Sequence, residues 1–196
     1  DINGDGLADI VATDFNRGVY VIYGSTNVSN LTVATSSVDA TGARGFGFTI
    51  NDPDNNATLF NYYGQLTRVT PLGDFNGDGL DDFMVGYYAG DRYGVTDVGK
   101  SYVIYGRTGS TSFTATSMSA SDGFRILGET TNDWSGYSVS GGQDVNGDGF
   151  TDLLISAPHS AAGGANSGKS YVIFGGNSTY SPVVFDPTSG DAIGGT

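Results

Sequence analysis

The sequence predicts an all-β fold of β-propeller blades, each of four antiparallel strands, with about three blades present as a partial propeller. Three observations carry this reading. A nine-residue phrase of Asp, Asn and Gly occurs three times at nearly even spacing. Each copy runs into a short apolar segment, and a second phrase rich in β-branched and aromatic residues follows, stopped each time by Gly.

The nine-residue phrase reads Asp1-Ile2-Asn3-Gly4-Asp5-Gly6-Leu7-Ala8-Asp9. It returns as Asp74-Phe75-Asn76-Gly77-Asp78-Gly79-Leu80-Asp81-Asp82 and as Asp144-Val145-Asn146-Gly147-Asp148-Gly149-Phe150-Thr151-Asp152. Side-chain oxygens fall at positions 1, 3, 5 and 9. Ca²⁺ takes six to eight oxygens from carboxylates, amides, backbone carbonyls and water. A tight loop points alternate side chains inward, so the 1-3-5 spacing can converge on one ion, and Gly at 4 and 6 permits positive φ. Leu7, Leu80 and Phe150 would each offer a backbone carbonyl, with position 9 closing the shell. The expectation is three Ca²⁺ sites: Asp1, Asn3, Asp5, Leu7 and Asp9; Asp74, Asn76, Asp78, Leu80 and Asp82; Asp144, Asn146, Asp148, Phe150 and Asp152.

An EF-hand shares the first half of this phrase but needs Glu at position 12 and a helix beyond. Here position 12 is Ala12, Val85 or Ile155. The runs Ile10-Val11-Ala12, Phe83-Met84-Val85-Gly86 and Leu153-Leu154-Ile155-Ser156 are short, apolar and stopped by turn residues, so they read as buried strands. Each loop is then a turn inside a β-hairpin. A bare Asp/Asn/Gly turn without metal would not need Asp at position 9 in every copy.

At 196 residues the chain is expected to form one domain with a core of its own. It has no Cys, hence no disulfide and no zinc–thiolate site. Net charge is −13; 20 of the 21 acids are Asp, with Glu129 alone, and nine of those Asp stand at the proposed ligand positions. Three Ca²⁺ would bring −13 + 6 to −7. That balance argues against nucleic acid as a partner, whose phosphates it would repel. No stretch has the length and apolarity of a membrane-spanning helix, so no membrane insertion is expected. With no leader sequence in view, the chain reads as a mature or excised piece.

The loops start 73 and then 70 residues apart, the period of one blade. The second phrase is Val19-Tyr20-Val21-Ile22-Tyr23-Gly24, Ser101-Tyr102-Val103-Ile104-Tyr105-Gly106 and Ser170-Tyr171-Val172-Ile173-Phe174-Gly175. It is apolar on both alternating faces, as a strand covered on both sides would be. Gly47-Phe48-Thr49-Ile50 resembles Gly123-Phe124-Arg125-Ile126, with Val183-Val184-Phe185 as a third copy. Gly64 to Val69 and Gly136 to Ser140 precede the second and third loops. Each repeat is thus four strands, the loop joining the first to the second, and such sheets stack as propeller blades. A β-helix has turns too short for this period, and the Gly-Gly-x-Gly-x-Asp nonapeptides of a calcium β-roll are absent. Blades are expected at 1–61, lacking its first strand, at 62–133 and at 134–196.

These residues resemble the FG-GAP repeats of the integrin α-subunit propeller and its bacterial relatives. The loops and the Tyr-Val-Ile-Tyr-Gly phrase carry the likeness. Ala157-Pro158 stands where that family has Gly-Ala-Pro, and Ser135-Gly136-Tyr137 where it has Phe-Gly. The first two repeats depart, with Ala12-Thr13 and Gly86-Tyr87 in place of Ala-Pro. The resemblance implies an extracellular or cell-surface, secreted, calcium-stiffened propeller whose loops on one face bind a partner.

The remaining residues are read plainly. Asn51 to Asn56 is an exposed polar loop. His159 is a surface residue with no Ser or Cys motif to activate. Trp134 opens a strand and packs within a blade. Tyr62, Tyr63, Tyr87, Tyr88 and Tyr93 serve packing, the rival reading being a sugar platform. The sequons at Asn27, Asn30, Asn56 and Asn177 matter only in a glycosylating source. With the recurring carboxylates committed to Ca²⁺ and no catalytic constellation, the chain is not expected to be an enzyme. It is expected to serve adhesion or structural assembly, binding a protein or glycan ligand or further copies of itself. The alternative is a glycan-binding module attached to a secreted hydrolase. Since 196/70 is about 2.8 and propellers close with about 4–8 blades, the open blade edges are expected to be completed by other segments or chains.

Overall fold

The computed structural model describes residues 1–14, 18–26, 45–51, 68–91, 95–161 and 163–176. The expected strand at 183–185, the four sequons, most of the 51–56 loop, Tyr62, Tyr63 and Tyr93 lie outside these. The described residues hold eleven strands and no helix.

The second repeat is the complete case. β4 (Arg68–Gly73) runs into the Asp loop and returns as β5 (Asp82–Tyr87); β6 (Lys100–Ile104) and β8 (Gly123–Leu127) follow. The sheet order β4-β5-β6-β8 is antiparallel throughout. The third repeat repeats it with β9 (Ser138–Gln143), β10 (Asp152–Ala157) and β11 (Lys169–Ile173) in the order β11-β10-β9. The register slips just beside the Asp loop in both, between Pro71 and Gly73 and between Asp152 and Leu154. Such bulges sharpen the local twist where a strand leaves the ladder for the loop.

The first sheet departs from expectation. β1 (Ile10–Thr13), β2 (Gly18–Ile22) and β3 (Gly45–Thr49) pair antiparallel as anticipated. A fourth strand, β7 (Phe113–Thr114), then adds in parallel to β3, with Phe48 opposite Phe113. The connection between β6 and β8 of the second repeat thus lends a strand to the first. A two-residue strand carries no periodicity, and its pairing is set by packing: Phe113 lies on Phe46 and Phe48, with centroids at 6.0 and 5.1 Å.

The three sheets stack. Val19, Val21, Phe46 and Phe48 of the first meet Phe83, Val85, Tyr87, Tyr102 and Ile104 of the second. The opposite face of the second, with Leu72, Met84, Val103, Phe124 and Ile126, meets Leu153, Ile155 and Ile173 of the third. β5 and β6 are therefore buried at every residue. The sequence predicts that condition for all three repeats, yet only the middle sheet meets it. In β11 burial alternates, because one face of the third sheet looks outward.

Trp134 does not open a strand. It lies in a turn at φ 57°, ahead of β9. Tyr87 is core, whereas Tyr88 is half-buried beside Trp134.

Candidate metal loops

The three Asp loops adopt one geometry. Gly4 and Gly6 have φ of 76° and 82°, Gly77 and Gly79 of 78° and 89°, Gly147 and Gly149 of 77° and 90°. These left-handed values turn the chain tightly enough for alternate side chains to meet. The carboxylate at position 1 sits within that turn. In the first loop Asp1 Oδ1 accepts from the Gly4 and Asp5 N–H groups at 2.8 and 3.0 Å, and Oδ2 from Gly6 N–H at 2.7 Å. Asp74 accepts from Asp78 and Gly79, both at 2.9 Å. Asp144 accepts from Gly147, Asp148 and Gly149. The Gly149 N–H leads the causes that hold the Asp144 carboxyl below its ordinary range.

Position 3 joins the same cluster. The amide oxygens of Asn3, Asn76 and Asn146 accept from the N–H of position 5 at 3.1, 2.9 and 3.0 Å. The Asn3, Asn76 and Asn146 amide nitrogens donate to the carboxylates of Asp5, Asp78 and Asp148 at 3.0, 2.9 and 2.8 Å. Position 5 in turn accepts from the backbone N–H of Leu7, Leu80 and Phe150, each at 2.9 Å. Positions 1, 3 and 5 therefore converge at the mouth of each loop. Asp5, Asp78 and Asp148 are exposed there. This all-oxygen set carries two carboxylates and an amide, the chemistry a hard cation takes.

Position 9 behaves differently. Asp9, Asp82 and Asp152 staple the loop to its own sheet. One oxygen accepts from the N–H of position 2 (Ile2, Phe75 and Val145) at 2.6, 2.9 and 2.7 Å. The other accepts from Gly24, Gly106 and Gly175 at 2.7, 2.7 and 2.9 Å. Asp82 also takes the Asn76 N–H at 3.1 Å and is only 1% exposed. Burial pushes its carboxyl up to about 7 against the pull of those three N–H groups, and the Asp78 charge adds to the rise. The structure thus links positions 1, 3 and 5 by hydrogen bonds and gives position 9 backbone partners of its own. Among the described residues no three His, Cys, Asp or Glu side chains form a metal-holding group. Positions 1, 3 and 5 fit a hard cation, and position 9 has a structural employment that the spacing did not reveal.

That staple explains a glycine too. Gly24, Gly106 and Gly175 end the Tyr-Val-Ile-Tyr-Gly phrase, and the sequence alone marks them only as stops. A Cβ on Gly24 would stand 2.5 Å from the Ala8 carbonyl oxygen, and one on Gly175 would stand 2.2 Å from that of Thr151. On Gly106 it would meet Leu80 Cβ at 2.6 Å and the Asp81 oxygen at 2.8 Å. The strand end must touch the loop backbone for its N–H to reach Asp9, Asp82 or Asp152. Their recurrence in all three repeats was the signal.

The first and second loops lean on one another. Asp81 N–H donates to the Asp1 carbonyl at 3.1 Å, and Arg107 N–H to that of Ile2 at 2.8 Å. The Arg107 guanidinium then lies 4.8 and 4.3 Å from the Phe46 and Phe113 ring centres and pairs with Asp122 at 3.0 Å. The first and second sheets are thereby pinned next to their loops.

Stacked sheets of three or four strands, with an Asp-rich loop between the first and second strands of the second and third repeats, define a repeat class of β-propeller blade. The FG-GAP repeat matches the chain over residues 68–104 and 135–173. Both matches contain an Asp loop; the copy at residues 1–9 lies outside them. Integrin alpha-M of Mus musculus is 36% identical over 92 residues, covering 45% of this chain and 7% of that protein. Phosphatidylinositol-glycan-specific phospholipase D of Dictyostelium discoideum is 25% identical over 199 residues, covering 99% of this chain and 21% of that protein. The chain thus spans a small part of either relative's length.

Proposed function

We propose that the chain is a calcium-stiffened, extracellular β-propeller module, without catalytic activity of its own, that serves adhesion or structural assembly. The observation that carries this is the triplicate loop, which in each copy gathers two carboxylates and an amide oxygen. Bound there, Ca²⁺ would be held by Asp1, Asn3 and Asp5, by Asp74, Asn76 and Asp78, and by Asp144, Asn146 and Asp148. It would cancel repulsion between the paired carboxylates. Leu7, Leu80 and Phe150 are the backbone carbonyl donors of this reading, and Asp9, Asp82 and Asp152 anchor each loop to its sheet. Extracellular Ca²⁺ modules bind at roughly 10⁻⁴–10⁻³ M, a range filled outside cells, and the likeness to an integrin subunit supports the same location. The partners of this module are a protein or glycan ligand, or further copies of itself.

Calorimetric titration with Ca²⁺ tests the reading. Uptake at three sites is expected, falling to two in Asp148→Ala. No uptake, or uptake unchanged by that substitution, would overturn it.

A further inference from the structure

The opposite ends of the strands carry an aromatic cluster that the metal loops do not use. Tyr88 follows β5, Trp134 and Tyr137 precede β9, and His159 follows β10. Tyr88 lies 5.4 Å from both Trp134 and Tyr137, between ring centroids. Trp134 lies 4.0 Å from His159 and 6.2 Å from Tyr137, the two larger rings being within 17° of parallel. Three separate chain segments thus converge to make one group of four rings. It is not core: Tyr137 and His159 are exposed, and Tyr88 and Trp134 are half-buried.

The backbone beneath is strained to make it. Trp134 has φ 57°, a left-handed conformation that a bulky residue rarely adopts, and Asp97 and Asn132 beside it have φ 50° and 62°. A frame of hydrogen bonds enforces it: Asn132 N–H to the Thr96 carbonyl at 3.0 Å, Trp134 N–H to that of Asp97 at 3.2 Å, and Ser135 N–H to that of Val98 at 3.0 Å. His159 N–H reaches the Asp133 carbonyl at 3.3 Å and so brings the third repeat in. Strain of this kind collects where a ligand is held. Here it keeps a half-buried indole outside both core clusters.

We propose that Tyr88, Trp134, Tyr137 and His159 form a binding platform for a neutral saccharide. A pyranose has a flat C–H face edged by hydroxyls, and this cluster has flat ring faces edged by phenol and imidazole groups that donate and accept hydrogen bonds. Size selects a small ligand: four side chains fall far short of the roughly 800 Å² per partner that a stable protein interface covers. Charge favours a neutral one: the chain carries −13, and Tyr88 feels Asp97 as well as Arg68, so the cluster offers no net positive charge to phosphate or anionic sugars. Ring contact excludes a quaternary ammonium, because centroids 5.4 Å apart leave no cage between the rings. The platform sits at the opposite end of the strands from the Asp loops, so it stands or falls apart from the calcium reading.

Trp134 is the sole tryptophan of the chain, so selective excitation of tryptophan emission reports this site alone. The 196-residue chain in millimolar Ca²⁺ is titrated with cellohexaose, xylohexaose and mannohexaose. A saturable, blue-shifted change is expected with at least one of them, and none with heparin. Tyr137→Ala should weaken that response by about tenfold, the worth of one aromatic contact, at an unchanged melting temperature. Asp148→Ala should leave it intact, and an absence of calcium uptake by the wild-type chain would sink the proposed function and spare the platform. No response to any of the three sugars, an equal response in Tyr137→Ala, or a response to heparin instead would overturn the platform.

Discussion

A carboxylate oxygen can serve a cation or a backbone N–H, and the loops divide that work by position. Asp74 and Asp78 stand at the mouth, whereas Asp82 is buried with both oxygens occupied. The two kinds should separate in a melting experiment. Asp82→Ala leaves the Phe75, Asn76 and Gly106 N–H groups without acceptors, and losing such buried bonds costs on the order of 2–4 kcal/mol. That loss should appear in chelator as well as in Ca²⁺. Asp78→Ala should lower the melting temperature in Ca²⁺ and change little in chelator. Equal behaviour of the two variants would refute the division. Gly106→Ala should destabilise by about 1–3 kcal/mol, since its Cβ meets the loop backbone and cannot move away; wild-type denaturant midpoints would contradict this. The 1-3-5 cluster and the positive φ of the glycines were legible in the sequence, because residue type and turn geometry are local properties. The role of Asp82 was not: its partner Gly106 lies 24 residues away, and only the folded sheet brings the two together.

Strands were legible for the same local reason, and their failures are non-local. The Tyr-Val-Ile-Tyr phrase formed β6 as expected, but in the third repeat Val172 is half exposed, since burial on both faces requires a sheet on both sides. Trp134 reads as a strand residue by propensity, yet the hydrogen bonds of the 96–98 turn hold it out of the ladder. The connection holding β7 is tied down at its base by the Arg107–Asp122 pair. Burial raises the Asp122 carboxyl, but the Ser119 hydroxyl and N–H and the Arg107 guanidinium outweigh it and leave the carboxyl below its ordinary value. A lowered carboxylate contributes stability above its unfolded value of about 3.9 and loses it as pH falls through the folded value. The melting difference between wild type and Asp122→Asn should therefore be present at neutral pH and shrink in acid. A difference independent of pH would assign the effect to packing.

At the scale of the molecule, the outward faces repeat the chemistry of the buried ones. Leu154, Val172 and Phe174 of the third sheet are 46%, 50% and 41% exposed, while the same repeat positions in the second, Met84, Val103 and Tyr105, are buried against a neighbour. Ile10 on the first sheet is likewise exposed where Phe83 and Leu153 are buried. Covering such faces gains about 25 cal/mol per Å², so the chain alone in millimolar Ca²⁺ should associate through them. Light scattering checks this, and a stable monomer with cooperative melting would refute it. Leu154→Lys should weaken the association. Ca²⁺ should also raise the melting temperature, since a ligand held only by the folded state stabilises it; equal melting in chelator would deny that linkage. The loan of β7 to the first sheet sets a clock as well. β3 ends at Thr49 and its outer neighbour ends at Thr114, so 114 − 49 = 65 residues must be made before the first sheet is complete. At about 5–20 residues per second of synthesis, that is a wait of roughly 3–13 s. For that time the edge of β3, with Phe46 and Phe48, meets the cell without its cover.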